Sequence, residues 1–226
     1  MSTILNIDKK KIENFWYYYK IHTFVGIFVA IMLLITLKDC ANNVVPDITI
    51  SYVGKNYIAD EVGQKLKEKL SGVIQDINND KKKELLFQPM TLSDEIRSEQ
   101  DIAMQQKVMV TFAAGDTQIF LMDKTNFLRF AEQGAFQPLD DVAAKCGVDI
   151  NKNPEIKLTA RETTEAHVYG VPLEGNSMLE EIGFKTKDTY IALRILGEKD
   201  KQNEKKKVLY NNVYEIFQEI VKYNKK

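Results

Sequence analysis

FAAGDTQIFLMDKTNFLRFAEQGAFQPLDD, residues Phe112 to Asp141, is the stretch that decides the fold. It reads as a helix end, a buried strand, a tight crossing, a second helix and a turn. Ala113-Ala114-Gly115-Asp116 closes a helix, because glycine tolerates the left-handed conformation at a helix C-terminus. Ile119-Phe120-Leu121-Met122 is a continuous apolar run, which suits a strand covered on both faces. Asp123 ends the strand, and Asp123 or Thr125 can cap the next helix. Phe127, Phe130 and Ala131 recur at helical spacing until Gly134 stops them. Pro138 marks a turn into a further short helix, with Asp140 and Asp141 read as its cap.

Outward from this block the chain alternates strands and helices. Asp47 to Val53 alternates Ile48, Ile50 and Tyr52 and predicts a first strand, followed by a turn at Gly54 to Tyr57. Ile58, Val62, Leu66, Leu70, Val73 and Ile77 form one apolar stripe, predicting a helix over that whole span. Leu85 to Phe87 predicts a second strand. Leu92 to Ala114 predicts a long helix capped by Ser93. Residues 142 to 165 are turn-rich. Ala166 to Leu173 predicts a fourth strand, and Asn176 to Asp188 a connection with one helical turn at most. Tyr190 to Leu196 predicts a fifth strand. Leu209, Val213, Ile216, Ile220 and Tyr223 share one face of a helix over Glu204 to Tyr223. Such an order calls for an α/β domain with a mostly parallel sheet of about five strands and right-handed crossovers.

The same block resembles the first lobe of bacterial extracellular solute-binding proteins, the receptors of ABC importers, which have a type 2 periplasmic-binding-protein-like fold. In that family a helix ends in "aaGd", a strand of the "diflmd" kind follows, and a helix then ends "laeqGal.pLdd". Here those elements are Ala113 to Asp116, Gln118 to Asp123 and Phe130 to Asp141. Tyr169-Gly170-Val171-Pro172-Leu173 is similar to the family's "yGvPl" strand. The full-length proteins have two lobes and are much longer. The resemblance therefore implies a single lobe over residues 47–226, completed by the C-terminal strand and helix.

The chain has 226 residues, 44% hydrophobic and 28% charged, an ordinary globular composition. A formal net charge of −1 gives no general field to attract nucleic acid. The lysine runs Lys81–Lys83 and Lys205–Lys207 have acidic neighbours and read as solvated faces. Ile21 to Leu37 has no acid, Lys or Arg and meets the lower length limit, about 17 residues, for spanning a bilayer. Trp16, Tyr17, Tyr18 and Tyr19 precede it as an interfacial belt, and Lys20 and Lys38 flank it. Lys9, Lys10, Lys11 and Lys20 outnumber the basic residues just beyond it. The positive-inside rule thus predicts a cytoplasmic lead over 1–20, a signal anchor over 21–38, a linker over 39–46 and an extracytoplasmic domain. A cleaved signal peptide fits less well, because no small-residue cleavage site follows Leu37. Leu37-Lys38-Asp39 before Cys40 also differs from the small residues that normally precede a lipidated cysteine. Cys40 and Cys146 have no disulfide or metal spacing signature.

No catalytic motif stands out, so no enzyme, cofactor or metal is expected. His167 reads as a strand histidine in a packing or surface role. Ligands of open α/β sheets sit beyond the carboxyl ends of the strands. That edge carries Lys55, Asn56 and Tyr57 after the first strand. It carries Asp123, Lys124, Thr125 and Asn126 after the third, and Glu174, Gly175 and Asn176 after the fourth. Tyr57 can stack on a sugar face. Each residue alone also reads as loop polarity or capping. The resemblance implies a non-enzymatic binding or interaction module, accessory to solute uptake. The alternatives are a true importer receptor for a small solute such as a sugar, or an envelope assembly protein that holds another membrane or envelope protein.

Overall fold

The computed structural model describes residues 9–42, 45–93, 95–161 and 163–224. The chain divides into two compact units, with the boundary between residues 44 and 45. The first unit contains helix α1 (Lys9–Asn42). Within it, Phe15–Lys38 is long and apolar enough to cross a membrane by length and composition. Its large apolar side chains are exposed, so within this unit they have no protein core to enter. The Thr36 hydroxyl donates to the Met32 carbonyl at 2.7 Å, which satisfies it inside the helix. The helix runs past Lys38 to Asn42, through part of the segment expected to be a linker.

The second unit contains β1 (Ile48–Gly54), α2 (Asp60–Leu70), β2 (Leu85–Thr91), α3 (Glu99–Ala114), β3 (Ile119–Asp123), α4 (Lys124–Glu132) and α5 (Asp140–Lys145). A 3-10 turn at Pro154–Ile156 leads to β4 (Lys157–Leu158) and β5 (His167–Val168). β6 (Val171–Pro172), α6 (Ser177–Glu181), β7 (Thr189–Leu193), α7 (Glu198–Lys201) and α8 (Glu204–Val221) complete it. The main sheet has the order β2-β1-β3-β7-β6. β1 pairs in parallel with β2 and β3, while β7 is antiparallel to both β3 and β6. Every strand of this sheet but β7 therefore runs the same way, and the fold is the mostly parallel five-stranded α/β sheet that the sequence predicts.

β1 is buried along its whole length, and Ile119 to Met122 of β3 likewise. Such strands are central and covered on both faces. Phe112, Phe120, Phe130 and Phe136 pack as an aromatic cluster, with the Phe112 ring 4.2 Å from Phe120 and 4.4 Å from Phe130. Gly115 closes α3 at φ 80°, and Gly134 follows α4 at φ 77°, the left-handed conformation expected of both.

Several boundaries differ from expectation. α3 begins at Glu99 rather than Leu92, because β2 continues to Thr91 and Ser98 makes a capping box with Asp101. Ser93 instead donates its hydroxyl to Asp101 at 2.9 Å. α2 stops at Leu70, short of Val73 and Ile77, and Ile74 is the buried residue beyond it. Asn212 of α8 holds this unwound segment by donating to Val73 O at 2.6 Å and accepting from Gln75 N at 3.1 Å. The single strand expected over Ala166 to Leu173 is two pieces. β5 pairs with β4, while β6 joins the main sheet. The break falls at Gly170, where an added Cβ would lie 2.9 Å from Cζ of Phe127 and 3.0 Å from the Ile191 carbonyl. The fifth strand ends at Leu193, and Arg194 forms only an isolated bridge with Phe136. Asp140 does not cap α5. Its carboxylate accepts from Val168 N at 3.2 Å and pairs with His167 Nδ1 at 2.9 Å, tying the helix to β5.

Candidate functional site

The carboxyl ends of β1 and β3 lie side by side, in register from Ile50↔Ile119 to Val53↔Met122. Because β7 runs the other way, it begins at this same edge, with Asp123 opposite Thr189. The loops after β1 and β3 and the turn into β7 are therefore neighbours.

Asp123 organises the edge. Its carboxylate accepts from Asn126 N at 2.9 Å as the N-cap of α4, and from Asn126 Nδ2 at 3.0 Å. It also accepts from Lys55 N at 3.1 Å, stapling the first loop to the third. With these donors on its two oxygens, most of its accepting capacity is used internally. Gly54 permits the close approach, since a Cβ there would strike the Tyr52 hydroxyl and come 3.0 Å from Asp123 Oδ2. Tyr52 is buried, and its hydroxyl accepts from Asn56 N at 3.2 Å. Burial raises the Tyr52 phenol above its ordinary pKa, keeping it neutral.

Beside this staple, three separate segments converge. Lys124 Nζ donates to Glu155 Oε1 at 2.8 Å, and the Tyr190 hydroxyl donates to the same oxygen at 2.8 Å. Tyr190 is held by stacking on Phe127 of α4, ring centroids 4.8 Å apart. The Lys124 ammonium, then the backbone at Glu155 and the Tyr190 hydroxyl, hold the Glu155 carboxyl down to about 2. Burial first, then the Glu155 carboxylate and the charges of Asp188 and Glu174, push the Tyr190 phenol up. Asp188 adopts φ 53° in the turn before β7, and its carbonyl accepts from Lys124 N at 3.0 Å. An aspartate tolerates this left-handed conformation better than most residues.

Of the residues singled out in the sequence, Lys55, Asn56, Asp123, Lys124 and Asn126 are drawn together here by the Asp123 staple and the loops beside it. Tyr57 and Thr125 are exposed on the same edge, Tyr57 at 81%. Glu174 is exposed and contributes to the field at Tyr190. Asn176 is turned inward and fully buried. It caps α6 by accepting from Leu179 N at 3.1 Å and donates to Ile220 O of α8 at 2.8 Å. Glu155 and Tyr190 were not expected at the site. Tyr190 carried a strand signal only, and Glu155 sits in a turn-rich stretch whose path the sequence does not define.

No family model matches this chain, and no curated protein does. Among solved structures, it is similar to a sugar transporter from Rhizobium etli in an open conformation, with 13% identity and a TM-score of 0.33. That match covers 55% of this chain and 28% of the other. It is also similar to an N-glycan transport solute-binding protein from Streptococcus pneumoniae, with 23% identity and a TM-score of 0.31. That one covers 58% of this chain and 26% of the other. The chain thus spans little more than a quarter of either neighbour's length.

Two grooves lie outside these contacts, the first of them reaching the edge at Glu174. One, of about 910 Å³, opens between β6, α8 and the loop after α5, where Lys145, Cys146, Glu174 and Asn224 line it. Its charges are largely paired with each other, Lys222 with Glu219 at 2.5 Å and Lys152 with Asp149 at 3.8 Å. Burial raises the Cys146 thiol pKa, which makes it less reactive. The other, of about 530 Å³, lies at the amino end of the sheet. Among the described residues, no group of His, Cys, Asp and Glu is placed to hold a metal ion.

Proposed function

We propose that the α/β unit is a non-enzymatic binding module that holds a small polar solute, with a sugar as first choice, against the carboxyl edge of its sheet. The observation that carries this reading is the convergence of Lys124, Glu155 and Tyr190 from three segments onto one open edge. Lys124 and Glu155 keep partly exposed polar groups there, the buried Tyr190 holds Glu155 in place through its hydroxyl, and the exposed ring of Tyr57 on the same edge offers an apolar face of the kind that sugars stack on. A charged pair beside a phenol is a recognition set. In this reading α1 is a signal anchor, with Phe15–Lys38 in the bilayer, the N-terminus cytoplasmic and the binding unit outside. An accessory place in solute uptake rests on the sequence resemblance alone.

The test is a thermal-shift screen of the detergent-solubilised full chain against sugars, amino acids and small anions. A solute that binds only the native state adds about 2.7 kcal/mol at a hundredfold excess over its dissociation constant. A saturable rise in melting temperature with one chemical class is the expected result. A cooperative melt that no class shifts would remove the small-solute reading.

A further inference from the structure

α3 exposes more of its surface than it buries. Of its 16 residues only Val108 is buried, with Met104 and Phe112 half-buried against the core. Between Ile102 and Ala113 every exposed residue except Gln106 and Lys107 is apolar. Ile102 is 45% exposed, Met109 55% and Val110 64%. A solvated helix face is normally charged or polar, and a helix apolar on most sides is normally covered on more than one. Contiguous exposed apolar residues mark an interaction surface. The helix is also firmly held. Ser98 and Asp101 form a capping box at its start, Gly115 closes its end, and Arg194 Nε donates to the Phe112 carbonyl at 3.2 Å. A partner therefore meets a preformed surface and has little ordering cost to overcome.

The spacing of the exposed residues fits another helix. Ile102, Gln106, Met109 and Ala113 follow at steps of four, three and four, the a/d seam through which one helix receives the side chains of a second. Ala103 and Val110 flank that seam on one side. Lys107 lies outside it, about 100° round the helix from Gln106. No charged residue stands in the seam itself.

Steps of four, three and four read the same in both directions, which points to a second copy of this chain as the partner. In an antiparallel pair of α3 helices, Ile102 of one copy lies opposite Ala113 of the other, a large residue against a small one. Gln106 lies opposite Met109. Each contact then occurs twice, as a two-fold interface requires. The two Gln106 side chains stand diagonally across the axis. An amide both donates and accepts, so each can satisfy the other. One polar residue in an apolar seam also fixes the register of the pair.

We infer that α3 is a self-association surface, pairing antiparallel with α3 of a second copy along Ile102, Gln106, Met109 and Ala113. Val110 also walls the second groove beside the exposed Leu86, so apolar contact continues past the helix. The seam is about 17 Å long. Alone it falls short of the roughly 1,200 Å² that a stable complex buries, so the pair is weak and reversible. No residue of the seam belongs to the carboxyl edge, and pairing leaves solute binding untouched.

The test is disulfide trapping in the detergent-solubilised full chain, with Cys40→Ser and Cys146→Ser as background. I102C alone, A113C alone and an equimolar mixture of the two are mildly oxidised, and the dimer is read on a non-reducing gel. Antiparallel pairing predicts trapping in the mixture at least tenfold faster than in either protein alone, because each cysteine faces the other position in its partner. Adding M109E to both chains should slow that trapping at least tenfold, by placing acids in the seam. These positions are exposed, and a cooperative melt checks that each variant folds. Trapping of I102C with itself as fast as in the mixture would mean parallel pairing and overturn the proposal. Slow trapping in all three samples of folded protein would leave α3 to lipid or to another protein and overturn it equally. A dimer that M109E leaves unchanged would place the contact outside α3, with the same consequence.

Discussion

Asp47, Asn212 and Asp123 are buried or half-buried polar residues that spend their oxygens on backbone N–H groups. Asp47 gathers Ile77, Asn78 and Glu84, so Asp47→Ala strands several donors at once. A loss of about 3 kcal/mol is expected in urea unfolding. Asp123→Ala removes a helix cap and the Lys55 staple together, and should cost about 1 to 2 kcal/mol by the same measurement. Lys124 can be replaced with less structural consequence, which makes it the better probe of binding. Glu155 supplies a pH dependence. Its folded pKa is depressed to about 2 from an ordinary value near 4.5. Its contribution is therefore present above about 4.5 and is lost as pH falls towards 2. Melting temperatures of E155Q should fall less steeply across that window than those of the wild type, and parallel curves would contradict the assignment. Little of this was legible beforehand. Asp123 as a cap follows from its place between an apolar strand and a helical repeat. The reach of Asp140 to His167, or of Glu155 to Tyr190, depends on loops whose paths are set by tertiary contacts.

The strands and helices nearest Phe112 to Asp141 were the most legible elements, because an apolar run of strand length between two glycine-stopped helices admits one arrangement. The reading weakened where local patterns competed. The stripe from Ile58 to Ile77 keeps helical spacing beyond Leu70, yet α8 captures Val73 and Gln75 through Asn212 and unwinds the last turn. Ser93 and Ser98 are both plausible caps, and Ser98 prevails because Asp101 stands three residues after it to complete the box. Ser98→Ala should therefore destabilise the fold by about 1 kcal/mol in chemical denaturation, whereas an equal loss in Ser93→Ala would contradict this assignment. The direction of β7 was not legible at all. A five-residue buried strand carries no mark of polarity, and its reversal is what brings Tyr190 and Asp188 to the edge where β1 and β3 end.

At the scale of the whole molecule, an apolar helix precedes a unit with its own continuous core, and the polar edge and the second groove lie at opposite ends of one sheet. In the proposed arrangement the chain stays with the membrane fraction through carbonate washing, and a form shortened to begin after Lys38 and released to the medium would contradict the anchor. The central claim is that a small solute is held by the carboxyl edge. The most direct measurement is calorimetric titration of the solute giving the largest thermal shift into the full chain and into its K124M variant. The account predicts saturable binding to the wild type and at least a tenfold weaker affinity for K124M, with a cooperative melt of the free variant showing that it still folds. Equal affinity for the two proteins would place the solute elsewhere and contradict the account.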